Sequence, residues 1–167
     1  MGRVQRLWTN LFAGWWRMRR SFSSALLDEL AAAIAAGERE HLGELRLAVE
    51  SRLHPGAVLA GIDATERARQ VFAQLGVWDT ERNSGVLLYV LLAERRIEIV
   101  VDRGVAARVP TAQWDAVCAT MRQAYAAGQW RAGSLAGIAA AHALLRDAFP
   151  DDGSRNTEEL PDRPTML

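Results

Sequence analysis

The sequence predicts a single α/β domain, a three-layer α/β/α sandwich built on a small mixed sheet, with an N-terminal helical extension. Three observations carry this reading. Residues 86–93 are a continuous apolar run, as expected of a strand buried on both faces. Residues 96–101 alternate, and only Glu94 and Arg95 separate the two segments, which is too short for a crossover and demands an antiparallel hairpin. The flanking segments repeat apolar residues at three- and four-residue steps, so helices are available to cover both faces of the sheet.

Residues 4–22 read as an amphipathic helix. Val4, Leu7, Trp8, Leu11, Trp15, Met18 and Phe22 share one face, and arginines flank it. Residues 24–36 form a second helix with Leu26, Leu27, Leu30 and Ile34 inward, stopped by Gly37. Residues 44–50 alternate, with Leu45, Leu47 and Val49 facing the core and Glu44, Arg46 and Glu50 facing away, as in a half-buried strand. His54-Pro55-Gly56 marks a turn. Asp63-Ala64-Thr65-Glu66 has the form of a capping box, and the helix it opens carries Ala68, Val71, Phe72 and Leu75 on its core side before Gly76 closes it. After the hairpin, Asp102-Arg103-Gly104 ends the second strand. Pro110-Thr111 starts a helix reaching 127, with Trp114, Val117, Cys118, Met121 and Tyr125 inward. Residues 134–149 form the last helix, with Leu135, Ile138, Leu145 and Phe149 on one stripe. Residues 151–167 lack periodicity and are rich in Pro, Asp and Arg, so a disordered tail is expected. The chain then divides into helices over 1–37, the α/β/α domain over 38–150 and a tail over 151–167.

Twenty basic and twenty acidic residues cancel, but not evenly. Residues 1–20 hold Arg3, Arg6, Arg17, Arg19 and Arg20 with no acid, while the last eighteen residues lean acidic. A basic head on a neutral body argues against nucleic-acid binding by the whole domain and fits a local surface contact. Cys118 is the only cysteine, which excludes an intramolecular disulfide and any cysteine zinc cluster. No apolar run reaches the ~20 residues of a membrane span, and the early arginines interrupt where a signal peptide would need its apolar core. The expected location is cytoplasmic, with the basic head free to contact the inner face of the membrane.

The stretch Gly76-Val77-Trp78-Asp79-Thr80-Glu81-Arg82-Asn83-Ser84-Gly85-Val86-Leu87-Leu88-Tyr89-Val90 resembles the centre of the TPM domain, the family of a thylakoid acid phosphatase, a photosystem II repair protein and a receptor-accessory protein. That family's pattern is a helix ending in Trp, an Asp-Asn-Gly turn, an apolar strand, a hairpin strand and a Gly-x-Gly-Leu-Glu-like loop. Residues 96–104 take the hairpin position, and Tyr125-Ala126-Ala127-Gly128-Gln129-Trp130, followed by Gly133 and Gly137, matches a later element. The similarity spans about Gly43 to Leu145. It implies a three-layer α/β/α fold, a shallow site at the strand ends, divalent metal, often calcium, and acid phosphatase activity. This sequence departs from the pattern at the site. Asp-Asn-Gly has become Asn83-Ser84-Gly85, the first glycine of the second loop is Asp102, and the loop glutamate aligns with Ala106. A short, divergent, soluble branch is the reading that follows.

The candidate ligand site joins Asp79, Arg82, Asn83, Ser84 and Gly85 to Arg103 and Gly104. Its candidate metal ligands for calcium or another divalent cation are Asp79, Glu81, Asn83 and Asp102, and Asp102 is the candidate catalytic residue. Asn83-Ser84-Gly85 reads equally as a plain turn, and Asp102 as a turn aspartate. His41 and Glu44 could supply two metal ligands, but no third lies nearby in sequence; His142 falls on a core stripe, and Cys118 reads as a buried, inert thiol. Outside the family domain, Arg6, Trp8, Phe12, Trp15, Trp16 and Arg19 suit an anionic membrane surface, or packing against the domain or a sister subunit. Three functions are therefore expected to compete. One is a binding or accessory module with a degenerate site, whose partner is a membrane-bound relative or another protein. The second is a metal-dependent acid phosphatase. The third is a peripheral membrane adaptor. The scarcity of loop carboxylates favours the first.

Overall fold

The computed structural model describes residues 2–12, 21–153 and 160–167. Among them lie seven helices and four strands. In chain order these are α1 (Arg3–Phe12), α2 (Ser24–Glu38), β1 (Glu44–Glu50), α3 (Pro55–Leu59), α4 (Ala64–Gln74), β2 (Gly85–Leu91), β3 (Arg96–Val101), α5 (Arg103–Ala106), α6 (Thr111–Ala126), α7 (Trp130–Ala148) and β4 (Thr165–Met166).

The sheet order is β3-β2-β1-β4. β1 and β2 run parallel, in register from Glu44↔Gly85 to Glu50↔Leu91, while β2 and β3 form the expected antiparallel hairpin. The hairpin loop is the four residues 92–95, closed by Arg95 N–H to the Leu92 carbonyl at 3.2 Å, and its last residue, Arg95, takes the left-handed φ of 53. Every residue of β2 is buried, because both faces are covered. On one face Leu45, Leu47, Val49, Val86, Leu88 and Val90 pack with α2, α6 and α7. On the other, Ala48, Leu87, Tyr89 and Leu91 pack with α3 and α4. The fold is therefore the three-layer sandwich.

The local signals hold where they are strong. Asp63 accepts from the Glu66 amide at 2.8 Å and caps α4. Gly76 takes φ 67 and ends that helix's descent. Gly137 lets α6 and α7 approach, since a Cβ there would sit 2.3 Å from the Met121 sulfur.

The structure corrects four expectations. β1 is central rather than half-buried, so Glu44 and Glu50 are inside the protein. Glu50 is tolerated there because it accepts from the Tyr89 hydroxyl at 2.6 Å and from Arg67 at 2.9 Å. The expected tail is ordered over 160–167: Thr165–Met166 pairs in parallel with β1 at Ala48 and Val49. Arg46 holds it there by donating to the Pro161 carbonyl and to Thr165. Helix α2, placed by sequence in an extension, is part of the core through Leu26, Leu27, Leu30 and Ile34. The last helix begins at Trp130, four residues before the expected start.

Helix α1 differs from expectation in which side it hides. Arg6 donates to Glu94 at 3.0 Å and to the Ile62 carbonyl at 2.7 Å. Asn10 is buried, donating to Glu94 and accepting from the Leu53 amide. The helix thus docks through a polar edge, with Leu7 half-buried beside it. Val4, Trp8 and Leu11 face outward at 68%, 59% and 48% exposure. Among the described residues no helix is long and apolar enough to cross a membrane.

Replacing Glu50 by Ala is expected to cost about 2–4 kcal/mol, since the Tyr89 hydroxyl and the Arg67 guanidinium lose a shared buried acceptor. Glu50→Gln, which keeps an acceptor for Tyr89, should cost less. Urea unfolding of the two variants measures the difference.

Candidate functional site

The N-terminal ends of β1 and β2 and the C-terminal end of β3 lie at the same end of the sheet, because β1 and β2 are parallel and β3 returns by a hairpin. Two loops meet there. The first, 76–84, leaves α4. Its turn is closed by Asn83 N–H to the Thr80 carbonyl at 3.0 Å and by Ser84 N–H to the Thr80 hydroxyl at 2.9 Å. Asn83 sits at φ 51, a conformation its short polar side chain tolerates. The second loop begins at Asp102, whose amide donates to the Gly85 carbonyl at 2.9 Å.

The loops touch directly. A Cβ at Gly104 would lie 2.6 Å from the Asn83 carbonyl oxygen and 2.8 Å from that of Arg82. Arg103 reaches across and donates to Asn83 Oδ1 at 2.7 Å. Asp102 is 9% exposed; its Oδ1 accepts from the Arg103 amide at 2.7 Å. Its Oδ2 is buried with no hydrogen-bond partner among the described residues.

The candidate residues therefore divide. Asn83, Asp102, Arg103 and Gly104 come together. Ser84 lies beside them but is buried and structural, its hydroxyl donating to the Leu42 carbonyl at 3.1 Å. Gly85 is glycine for packing: a Cβ there would stand 1.9 Å from the Val77 carbonyl oxygen. Asp79 and Glu81 are exposed and Arg82 is half-buried at the loop's outer side. A hard divalent cation needs several oxygen ligands. Here the only buried loop carboxylate is Asp102, and the Asn83 amide oxygen already accepts from a guanidinium. No group of three His, Cys, Asp or Glu side chains arranged for a metal occurs among the described residues. The donors present do not fit a calcium site.

Of the outer contact candidates, Arg6 is turned into the protein by its Glu94 pair, which withdraws it from a membrane-facing role. Trp8 is on the outward face. Trp15, Trp16, Arg19 and the side chain of Phe12 lie outside the described residues. Cys118 is a buried free thiol, pushed up to about 11 by burial.

His41 and His142, separate in the sequence, are paired by the fold. His41 Nε2 and His142 Nδ1 are 2.8 Å apart and buried. His41 Nδ1 accepts from the Gly43 amide at 3.1 Å, so the shared proton belongs to His41 Nε2 and His142 carries its own on Nε2. The second ring lies against Gly37, where a Cβ would be 2.2 Å from it. Burial drives both rings down to about 4, and for His142 the neighbouring His41 adds to the effect. Glu38, at the end of α2, accepts from the Leu45 amide at 2.7 Å and is pushed up to about 9 by burial. The one sequence signal for the histidine pair is Gly37, small where α2 must pass the ring.

The sequence model of the TPM domain matches residues 19–144. No curated protein matches the chain. Among solved structures, the BA42 protein of the psychrophilic bacterium Bizionia argentinensis is 25% identical, with a TM-score of 0.75 over 87% of this chain and 94% of that one. The N-terminal domain of a P. gingivalis protein shares the fold at 18% identity, with a TM-score of 0.60 over 75% of this chain and 76% of that one.

The histidine pair makes the fold acid-sensitive in a defined window. Unfolded histidines bind protons near 6.5, whereas the folded pair resists protonation until about 4. The unfolded pair therefore holds more protons between these values, and its contribution to stability falls as pH drops from 6.5 to 4. Glu38, which holds its proton up to about 9 when folded, opposes this slope by about one proton above 4.5, so His142→Phe should lower the net slope of stability against pH in that window by about one proton, measured by denaturant unfolding at stepped pH.

Proposed function

The chain belongs to the TPM domain family, and from that premise we propose that it works as a binding or accessory module whose loop site no longer supports metal-dependent phosphate-ester hydrolysis. One observation carries this reading. The Arg103 guanidinium is hydrogen-bonded to Asn83 Oδ1 at 2.7 Å, so a fixed positive charge stands where a cation would need its second ligand. A metal-activated water needs a cation held by several oxygens, and Asp102 alone does not supply them. The same loops suit a small anion or a partner's carboxylate better, since Arg103 presents a planar guanidinium at an exposed rim.

Calcium titrated into the full-length protein by calorimetry is expected to give no saturable heat, and a generic phosphate ester no metal-dependent turnover. Saturable binding with turnover that disappears in Asp102→Asn would overturn the proposal and restore the enzyme.

A second reading, contact with an anionic membrane surface, is favoured by the outward apolar face of α1 and by Arg3, Arg17, Arg19 and Arg20 in a stretch, residues 1–20, that holds no acid. Tryptophan and arginine suit the headgroup region. On this reading Trp8→Ala should weaken binding to phosphatidylglycerol-containing vesicles several-fold, whereas Arg6→Ala should lower stability through loss of its bond to Glu94. Vesicle binding unchanged by Trp8→Ala, or absent in the wild type, removes the membrane from the function.

A further inference from the structure

At the end of the sheet away from the loops, roughly 20 Å along β2 by strand rise, a cavity of about 410 Å³ opens between the hairpin and the C-terminal end of α6. That volume lies within the range of small-molecule sites. Leu92 and Ile97 of the hairpin, with Tyr125 and Trp130, give it an apolar floor and wall. The wall is held in place. The Tyr125 and Trp130 rings are 4.7 Å apart, the Tyr125 hydroxyl is bonded to Ser134 at 2.7 Å, and Trp130 also meets Phe22 at 6.2 Å.

The polar groups at the mouth are of one sign. Arg95, Arg96 and Arg122 line it, and none of its lining residues is acidic. Arg96 is committed to Glu98 at 2.7 Å. Arg95 and Arg122 are exposed and have no ion pair or hydrogen bond among the described residues. The acid next to Arg95 in sequence, Glu94, is taken by Arg6 and Asn10 on the other face of the sheet. The carbonyls of Gln123, Ala124 and Tyr125 near the end of α6 accept from the amides of Ala127, Gly128 and Gln129.

We infer that this cavity is a binding site for an organic anion with an apolar body, a carboxylate or phosphate head held by Arg95 and Arg122 and a hydrocarbon or aromatic part laid on Tyr125 and Trp130. Guanidinium-to-oxyanion bonds are strong and directional, and an apolar floor closed to competing acids favours an amphiphile over a bare inorganic ion. The site is separate from the loops of the proposed function and does not depend on them.

The probe is dodecanoate, titrated into the full-length protein below its micelle concentration and followed by calorimetry and by the indole N–H resonances. One saturable site is expected, with the Trp130 indole shifting and dodecanol binding at least about tenfold more weakly. Arg95→Asn, chosen because Asn accepts the φ of 53, and Arg122→Gln should each weaken dodecanoate about tenfold while leaving the unfolding midpoint unchanged. Inorganic phosphate should not compete at equal concentration. If vesicle binding by the wild type also falls in Arg95→Asn, the anion is a lipid head; if only dodecanoate binding falls, it is a free acid. No saturable binding, equal affinity for dodecanol, or shifts confined to the Trp8 indole would overturn the inference.

Discussion

Seven residues of β1 lie parallel and in register with seven of β2, and this ladder sits where both helical layers meet. A parallel pair needs a crossover, and α3 and α4 supply it, covering one face with Val58, Ala68 and Val71. The hairpin then returns β3 beside β2, which brings the start of β2 and the end of β3 to one edge and sets Asp102 against Gly85. The same centrality buries Glu50, which is stable there only through Tyr89 and Arg67. Burial raises the Tyr89 hydroxyl, so it stays a proton donor to Glu50. The loop site, the buried charge network and the hairpin cavity are all positions relative to this ladder.

Much of the sandwich was legible because its signals are local. An unbroken apolar run marks β2, a gap too short for a crossover makes a hairpin, and Asp63 three residues before Glu66 caps a helix. What was not legible depends on partners distant in sequence. Glu44 and Glu50 alternate like solvent-facing residues, and only the neighbours Leu160, Tyr89 and Arg67 explain their burial. The segment Thr165–Met166 is too short to show periodicity, and it becomes a strand because β1 offers an edge and Arg46 grips the chain before it. The histidine pair joins residues 101 apart, and nothing near either histidine announces the other. Within the loop site, the meeting of residues 83 and 102–104 followed from the hairpin, but the direction of Arg103, towards Asn83 rather than solvent, did not.

That direction decides the chemistry available at the loops. Asn83 and Asp102 together would offer two oxygens to a cation, yet the Asn83 oxygen accepts from Arg103 and Asp102 Oδ1 caps the residues that follow it. The free Asp102 Oδ2 is a single buried acceptor. Gly85 and Gly104 keep the close backbone contacts of the loops, against Val77 and against Asn83. The loops therefore hold a close backbone frame around one buried carboxylate oxygen and one exposed guanidinium, and on the proposed reading that set suits an anion or a protein carboxylate better than a cation.

Helix α1 connects the two surfaces that remain uncommitted. It is fixed by Arg6 and Asn10 on Glu94 and the Leu53 amide, and Val4, Trp8 and Leu11 face outward. An exposed apolar stripe lowers solubility unless another surface covers it, which supports a docking role for the helix. The same anchoring removes Glu94 from the hairpin's other side, where it would neutralise Arg95. Were α1 released, Glu94 would lose its donors and the cavity would gain a neighbouring acid; with α1 docked, the mouth stays cationic. The docking of the extension and the charge of the hairpin cavity are thus set by one glutamate.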